Sequence, residues 1–232
     1  MMSDLPEWMV RAFSKPRMAV YLRMAGGDAQ VAMRLYWWNL EASAALYGPL
    51  HCLEVTLRNA LHDVLTRQHG RPDWWVSAPL NPNGLRLVDA AREKAEKAGT
   101  APAPVGGIVA ELTFGFWVSL VSSAPGYDRA FWVAAANRAF PYYSGPRKDL
   151  HRSLLALSWL RNRVMHHEPV DHRCRPRCPR WHLGPAEGHR TIYRVLGYVS
   201  PELAKEMQVM DRFPSVLAHR GDALRGIRPP KF

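Results

Sequence analysis

Cysteine is scarce: Cys52, Cys174 and Cys178 are the only thiols among 232 residues. An odd, sparse set argues against a disulfide framework and fits a reducing compartment. Long apolar runs are missing as well. The longest weakly charged stretch, Ile108 to Ala124, is interrupted by Glu111 and gives out at Ser122, Ser123 and Pro125. That falls short of a membrane span and reads as a core helix. The first residues place Asp4, Glu7 and Arg11 among scattered apolar side chains, without the basic start, continuous apolar centre and small-residue cleavage site of a secretion signal. A cytoplasmic protein without a membrane partner is expected. No glycine-rich phosphate loop and no carboxylate pair spaced for magnesium occurs, which argues against nucleotidyl or other group transfer.

Acidic residues are in deficit: 20 Asp and Glu face 31 Lys and Arg, for a net charge of +11. Lysine is rare within that excess, with 25 arginines against 6 lysines. A basic balance concentrates polyanions and supports sequence-independent phosphate contacts, and guanidinium forks suit bidentate phosphate binding. Nucleic acid is the leading partner class. Arginine-rich composition also follows from genome base composition, so charge alone does not decide.

What is present is helical periodicity. Hydrophobic content of 47% in a chain of this length is enough for a sizeable core, in one domain or one domain with helical extensions. Leu46, Leu50, Leu53, Leu57, Ala60, Leu61 and Val64 recur at spacings of three and four. Gly48-Pro49 is expected to divide that helix from an earlier one over roughly Asp28 to Tyr47. Gly70, Pro72 and Pro79 through Gly84 mark a loop before a charged helix from Leu85 to Lys97, and Gly99 to Gly107 reads as a linker. Ile108, Leu112, Phe116 and Leu120 predict a core helix, and Asp128 to Phe140 another. A helix from Arg147 carries Leu150, Leu154, Leu157 and Val164 and should stop near Glu168, because Pro169 disfavours helix at the residue before it. Asp171 to His189 reads as a loop, and Ser200-Pro201-Glu202 as the start of a late helix. No repeat and no alternating strand pattern is visible. The fold class expected is all-α.

The chemistry-bearing segment is Arg161-Asn162-Arg163-Val164-Met165-His166-His167-Glu168-Pro169. Residues four apart share a helix face, so Asn162 pairs with His166 and Arg163 with His167. Arg161 and His166 are five apart, about 140° around an ideal helix. They converge only through a long side chain, a distorted helix end or a second subunit. Metal-free RNA cleavage needs a base for the 2′-hydroxyl, an acid for the leaving oxygen and positive charge on the transition state; imidazole and guanidinium supply these. The alternative is a polar helix terminus whose His and Arg satisfy the last carbonyls.

With its flanks this segment resembles the Abi-like (abortive infection) proteins of the HEPN superfamily. Ser14-Lys15-Pro16-Arg17 with Tyr21-Leu22 is similar to that family's opening, and Leu53-Glu54-Val55-Thr56-Leu57-Arg58-Asn59-Ala60 to its first core helix. Glu111-Leu112-Thr113-Phe114-Gly115-Phe116-Trp117 resembles its central helix, and Leu160 through Pro169 its closing RNxxxHHEP signature. The resemblance implies a HEPN-type helical bundle over residues 31–170, with an N-terminal extension over 1–30 and an Arg/Pro-rich loop and C-terminal helices over 171–232. It implies a metal-independent endoribonuclease in phage defence or as a toxin, forming a homodimer, acting on RNA, and open to an antitoxin or regulatory partner. Arg161, Asn162 and His166 would be the RxxxxH motif, with His166 as acid/base, Arg161 on the phosphate and Asn162 positioning. A non-catalytic RNA-binding or regulatory helical module is the alternative.

Other residues support this site. Glu54, Arg58 and His62 share a face, with Asn59 beside them, either lining the cleft or forming a half-buried ion pair that fixes packing. The packing role is favoured. Arg163, His167 and Glu168 are supporting residues. Within the insertion after Pro169, Arg173, Arg175, Arg177 and Arg180 suit RNA grasping and Trp181 base stacking, unless the insertion is a solvated loop. Cys174 and Cys178 with His172 and His182 offer zinc-ligand types but only one Cys pair, so no metal and no cofactor is assigned. The other tryptophans, Trp37, Trp38, Trp74, Trp75, Trp117, Trp132 and Trp159, are expected mostly in the core.

Overall fold

The computed structural model describes residues 5–99, 101–171 and 183–231, and all regular structure among them is helical. The elements are α1 (Glu7–Phe13), α2 (Lys15–Met24), α3 (Ala29–His69), α4 (Pro82–Ala98), α5 (Val105–Glu111) and α6 (Phe114–Ser119). They continue with α7 (Arg147–Met165), α8 (Pro185–Val199), α9 (Pro201–Met210), α10 (Phe213–Ala218) and α11 (Arg220–Arg225). The all-α class read from periodicity is therefore what the chain forms. Among the described residues no helix is long and apolar enough to cross a membrane.

The expected break at Gly48-Pro49 does not occur: α3 runs unbroken for 41 residues with Pro49 inside it. An interior proline forfeits one hydrogen bond and costs about 3 kcal/mol. On either side of it Leu46, Leu50, Leu53, Leu57 and Leu61 are all at or below 4% exposure. Each such side chain contributes about 1.5–3 kcal/mol on burial, so the stripe outweighs the proline. Gly48 adds no obstacle, since nothing lies within 4 Å of where a Cβ would stand.

The opposite correction applies downstream. The single helix expected from Ile108 to Leu120 is two, because Leu112 and Thr113 are extended and the Thr113 hydroxyl caps α6 by accepting from Phe116 N at 3.3 Å. The helix expected from Asp128 to Phe140 is a wide π-type turn over Asp128–Val133 and a tight turn over Ala136–Ala139, separated by Ala135 at φ −150°. The loop expected through His189 ends earlier, since Pro185 opens α8. Proline at a first helical position loses nothing that the helix needs. Gly188 then lies so close to α7 that a Cβ there would meet Leu160 Cδ2 at 2.5 Å. The late helix is α9, with Ser200 Oγ accepting from Leu203 N at 3.2 Å.

The chain forms two compact units. One comprises the described residues of Met1–Leu50, Trp159–Arg190 and Met207–Phe232. Its core gathers Met9, Met18, Tyr21, Leu35, Trp38, Leu160, Val164, Phe213 and Val216. Phe13 packs on Tyr36 with ring centroids 4.5 Å apart, and Tyr21 meets Tyr36 at 5.2 Å. The other comprises His51–Ser158 and Thr191–Glu206. Its centre is aromatic: Trp74 lies 6.2 Å from both Phe116 and Trp117. Trp38, Trp74, Trp75 and Trp117 are core, as expected, and Trp37 and Trp132 are half-buried. Trp159 departs from the expectation at 43% exposure.

Candidate functional site

The RNxxxHHEP segment closes α7 within the first unit, and its geometry follows from Pro169. Helix is disfavoured just before proline, and α7 ends at Met165. His166 N makes the last α-type bond, to Asn162 O at 2.8 Å. The chain then reverses: His167 N donates to Val164 O at 3.2 Å and Glu168 N to Arg163 O at 2.8 Å. These two bonds, with His167 at φ 58°, make a Schellman closure. The left-handed position usually falls to glycine, and an imidazole there stores about 1–2 kcal/mol of strain.

Of the motif residues, Arg161 is half-buried and Asn162 and His166 are exposed. Arg161 Nη1 lies 3.5 Å from Asn162 Oδ1. Guanidinium, amide and imidazole thus share one helix terminus, at which the peptide dipoles present their negative end. His167 and Glu168 are exposed beside them. Arg163, expected to share a face with His167, instead turns inward: it is 6% exposed and its Nη1 donates to Pro169 O at 3.1 Å. The left-handed turn takes His167 off the helix, so the i,i+4 rule no longer relates the two.

Sequence reasoning missed the residues that hold this turn. Arg17 Nη1 donates to His167 O at 2.6 Å across 150 positions of chain. Asn39, 6% exposed, accepts from Val170 N at 2.7 Å and approaches Glu168 O with its Nδ2 at 3.5 Å. Arg220 pairs with Asp171 at 2.6 Å, its guanidinium 5.1 Å from the Trp38 ring centroid. Asn39 had a signal: a lone amide in the run Tyr36-Trp37-Trp38-Asn39-Leu40 must find buried partners. Around Arg17 lie two phenols. Burial pushes the Tyr21 hydroxyl well above the usual phenol range, with Tyr36 and Glu168 adding to the shift and Arg17 opposing it. Burial likewise raises Tyr36, against the same guanidinium. Tyr21 Oη is buried with no hydrogen-bond partner among the described residues.

Glu54, Arg58 and Asn59 belong to the second unit, on the later half of α3. Glu54 and Arg58 are half-buried and Asn59 exposed, and Arg58 Nε donates to Asn59 Oδ1 at 3.3 Å. His62, on the same face, accepts from Trp74 Nε1 at 3.1 Å. Burial lowers its pKa below the ordinary histidine value, the Asp63 carboxylate opposing and Arg58 assisting. It therefore acts as a neutral acceptor that fixes an indole. Arg173, Arg175, Arg177, Arg180 and Trp181 lie outside the described residues, as do His172, Cys174, Cys178 and His182. Among the described residues no three His, Cys, Asp or Glu side chains are grouped to hold a metal ion.

Comparison of the chain with protein-family models, with curated proteins and with solved structures finds no match.

Proposed function

We propose that the chain is a metal-independent endoribonuclease of the HEPN type, serving phage defence or acting as a toxin, with the end of α7 as its reactive edge. The observation that carries this reading is the grouping of Arg161 and Asn162, in contact, with an exposed His166 at one helix terminus. The net charge of +11 suits an RNA substrate.

The reaction these groups serve is internal transesterification. The 2′-oxygen loses its proton to an imidazole and bonds to phosphorus. The bond from phosphorus to the 5′-oxygen breaks, and an imidazolium returns a proton to that oxygen. The products are a 2′,3′-cyclic phosphate and a 5′-hydroxyl, with no net redox change and no water consumed. Two proton transfers on opposite sides of one phosphate call for two imidazoles. A homodimer supplies a second His166 together with the Arg161 that a single helix holds about 140° away. Arg161 neutralises the non-bridging oxygens as charge builds on them, and Asn162 orients the guanidinium through their mutual contact.

The test is incubation of wild type and His166→Ala with total RNA and defined tRNA in excess EDTA, with the fragment ends identified. Cutting by wild type alone, with cyclic-phosphate ends, is expected; removing an acid/base group costs about 10²–10⁴-fold. Salt-sensitive RNA binding with no cutting by either protein would instead make the chain a non-catalytic RNA-binding module.

A further inference from the structure

The five residues that follow His166 are each held by a side chain, four of them from outside α7 and its closing turn. His167 O takes a bond from Arg17 on α2, and Glu168 O is approached by Asn39 on α3. Pro169 O is bonded by Arg163 of α7, and Val170 N gives its hydrogen to Asn39. Asp171 pairs with Arg220 of α11. Four side chains from four helices thus converge on one short stretch of backbone, all within the first unit.

An ordinary helix end does not need this. Terminal turns fray, and their last carbonyls are normally met by water or by a glycine-based closure. Here the closure uses a histidine in the left-handed region, and a strained turn persists only where its surroundings over-determine it. Arg17 takes a central part in that restraint. Its bond is charge-assisted and short, it falls on the carbonyl of the strained residue itself, and it arrives from a helix remote in sequence.

We propose that Arg17 and Asn39 are positioning residues: by fixing the backbone from His167 to Val170 they hold in place the helix end from which the His166 imidazole projects for proton transfer. This rests on the endoribonuclease reading for its catalytic consequence, but not for its mechanical one. Neither side chain touches substrate. Both act through the turn, so their loss lowers the rate of the chemical step and leaves RNA binding in place.

Arg17 is the residue to test, because it is half-buried whereas Asn39 is a core amide whose loss endangers folding. Two measurements on full-length Arg17→Ala and Arg17→Lys decide the matter. The first is amide hydrogen exchange of the RNA-free protein. Arg17→Ala should lose protection at His167, Glu168 and Val170 by about ten-fold or more, the consequence of losing one charge-assisted hydrogen bond, while the remaining amides stay as in wild type. Unchanged exchange at those three amides, or an equal loss everywhere, overturns the proposal. The second is cleavage in EDTA. kcat should fall by about 10–100-fold with KM within about two-fold of wild type, since an ångström of misplacement has that effect, and Arg17→Lys should recover part of it. A wild-type kcat in Arg17→Ala, or a loss confined to KM, also overturns it. If wild type cuts no RNA, the nuclease reading fails, and exchange alone decides whether Arg17 holds the turn.

Discussion

Replacing His167 with glycine should make the protein more stable. His167 has φ 58°, where a Cβ crowds the following carbonyl at a cost of about 1–2 kcal/mol. Glycine removes that term and loses about 0.4–1 kcal/mol through the greater freedom of its unfolded chain. The imidazole is exposed, so little packing goes with it. The balance is a gain of about 0–1.6 kcal/mol, centred on ~0.8 kcal/mol, or roughly 2–3 °C in Tm at the centre for a chain of this size. His167→Ala keeps the Cβ and should gain nothing, which makes the pair of variants diagnostic. Urea unfolding of wild type and both variants at pH 7.5 measures it, with unchanged slopes expected because the same surface is exposed on unfolding. A glycine variant less stable than wild type would refute the reasoning by showing that the imidazole's own contacts outweigh backbone strain, and an alanine variant as stable as the glycine one would refute it by showing that the Cβ carries no net cost at this φ.

Gly188→Ala should destabilise by about 1–3 kcal/mol, because its Cβ would stand 2.5 Å from Leu160 Cδ2 in the core. On a Leu160→Ala background the same change should cost much less, and equal costs in the two backgrounds would deny the contact. Stability should also fall on acidification through His62. Its folded pKa is lowered by burial, so below about pH 6.5 the unfolded state takes up a proton that the folded state resists. This contribution is complete above that pH and shrinks as pH drops toward the lowered value. His62→Gln retains an acceptor for the Trp74 indole without titrating. Urea midpoints between pH 5 and 7.5 should therefore decline less steeply in that variant than in wild type.

Fold class was legible because apolar spacing of three and four is a local signal that burial obeys, and the leucines of α3 follow it from Leu46 to Leu61. Punctuation was harder, because it depends on sums. Pro49 marks a break on propensity alone, yet five buried leucines outweigh one missing hydrogen bond. Thr113 sits in an apolar run, and the helix breaks there, because its hydroxyl and the extended backbone of Leu112 and Thr113 together offer a cap. The tight approach at Gly188 reads in the sequence only as a glycine beyond a loop; its reason is Leu160, on a different helix.

The candidate site divides along the same line. Pro169 announces that the helix ends near it, since a proline acts on the residue directly before it. The left-handed turn has no such announcement, because the position that sequence readers fill with glycine is held here by histidine. What permits that substitution lies 128 and 150 positions earlier, in Asn39 and Arg17. A buried amide left unpaired costs about 1–3 kcal/mol, so Asn39 could be recognised as needing partners, and those partners turn out to be the backbone of Glu168 and Val170. The residues proposed to carry chemistry are thus contiguous and readable, while the residues that bond the turn behind them are dispersed. That dispersal is why Arg17 is the informative substitution: it leaves every residue of the RNxxxHHEP segment intact and removes only a bond to the His167 carbonyl.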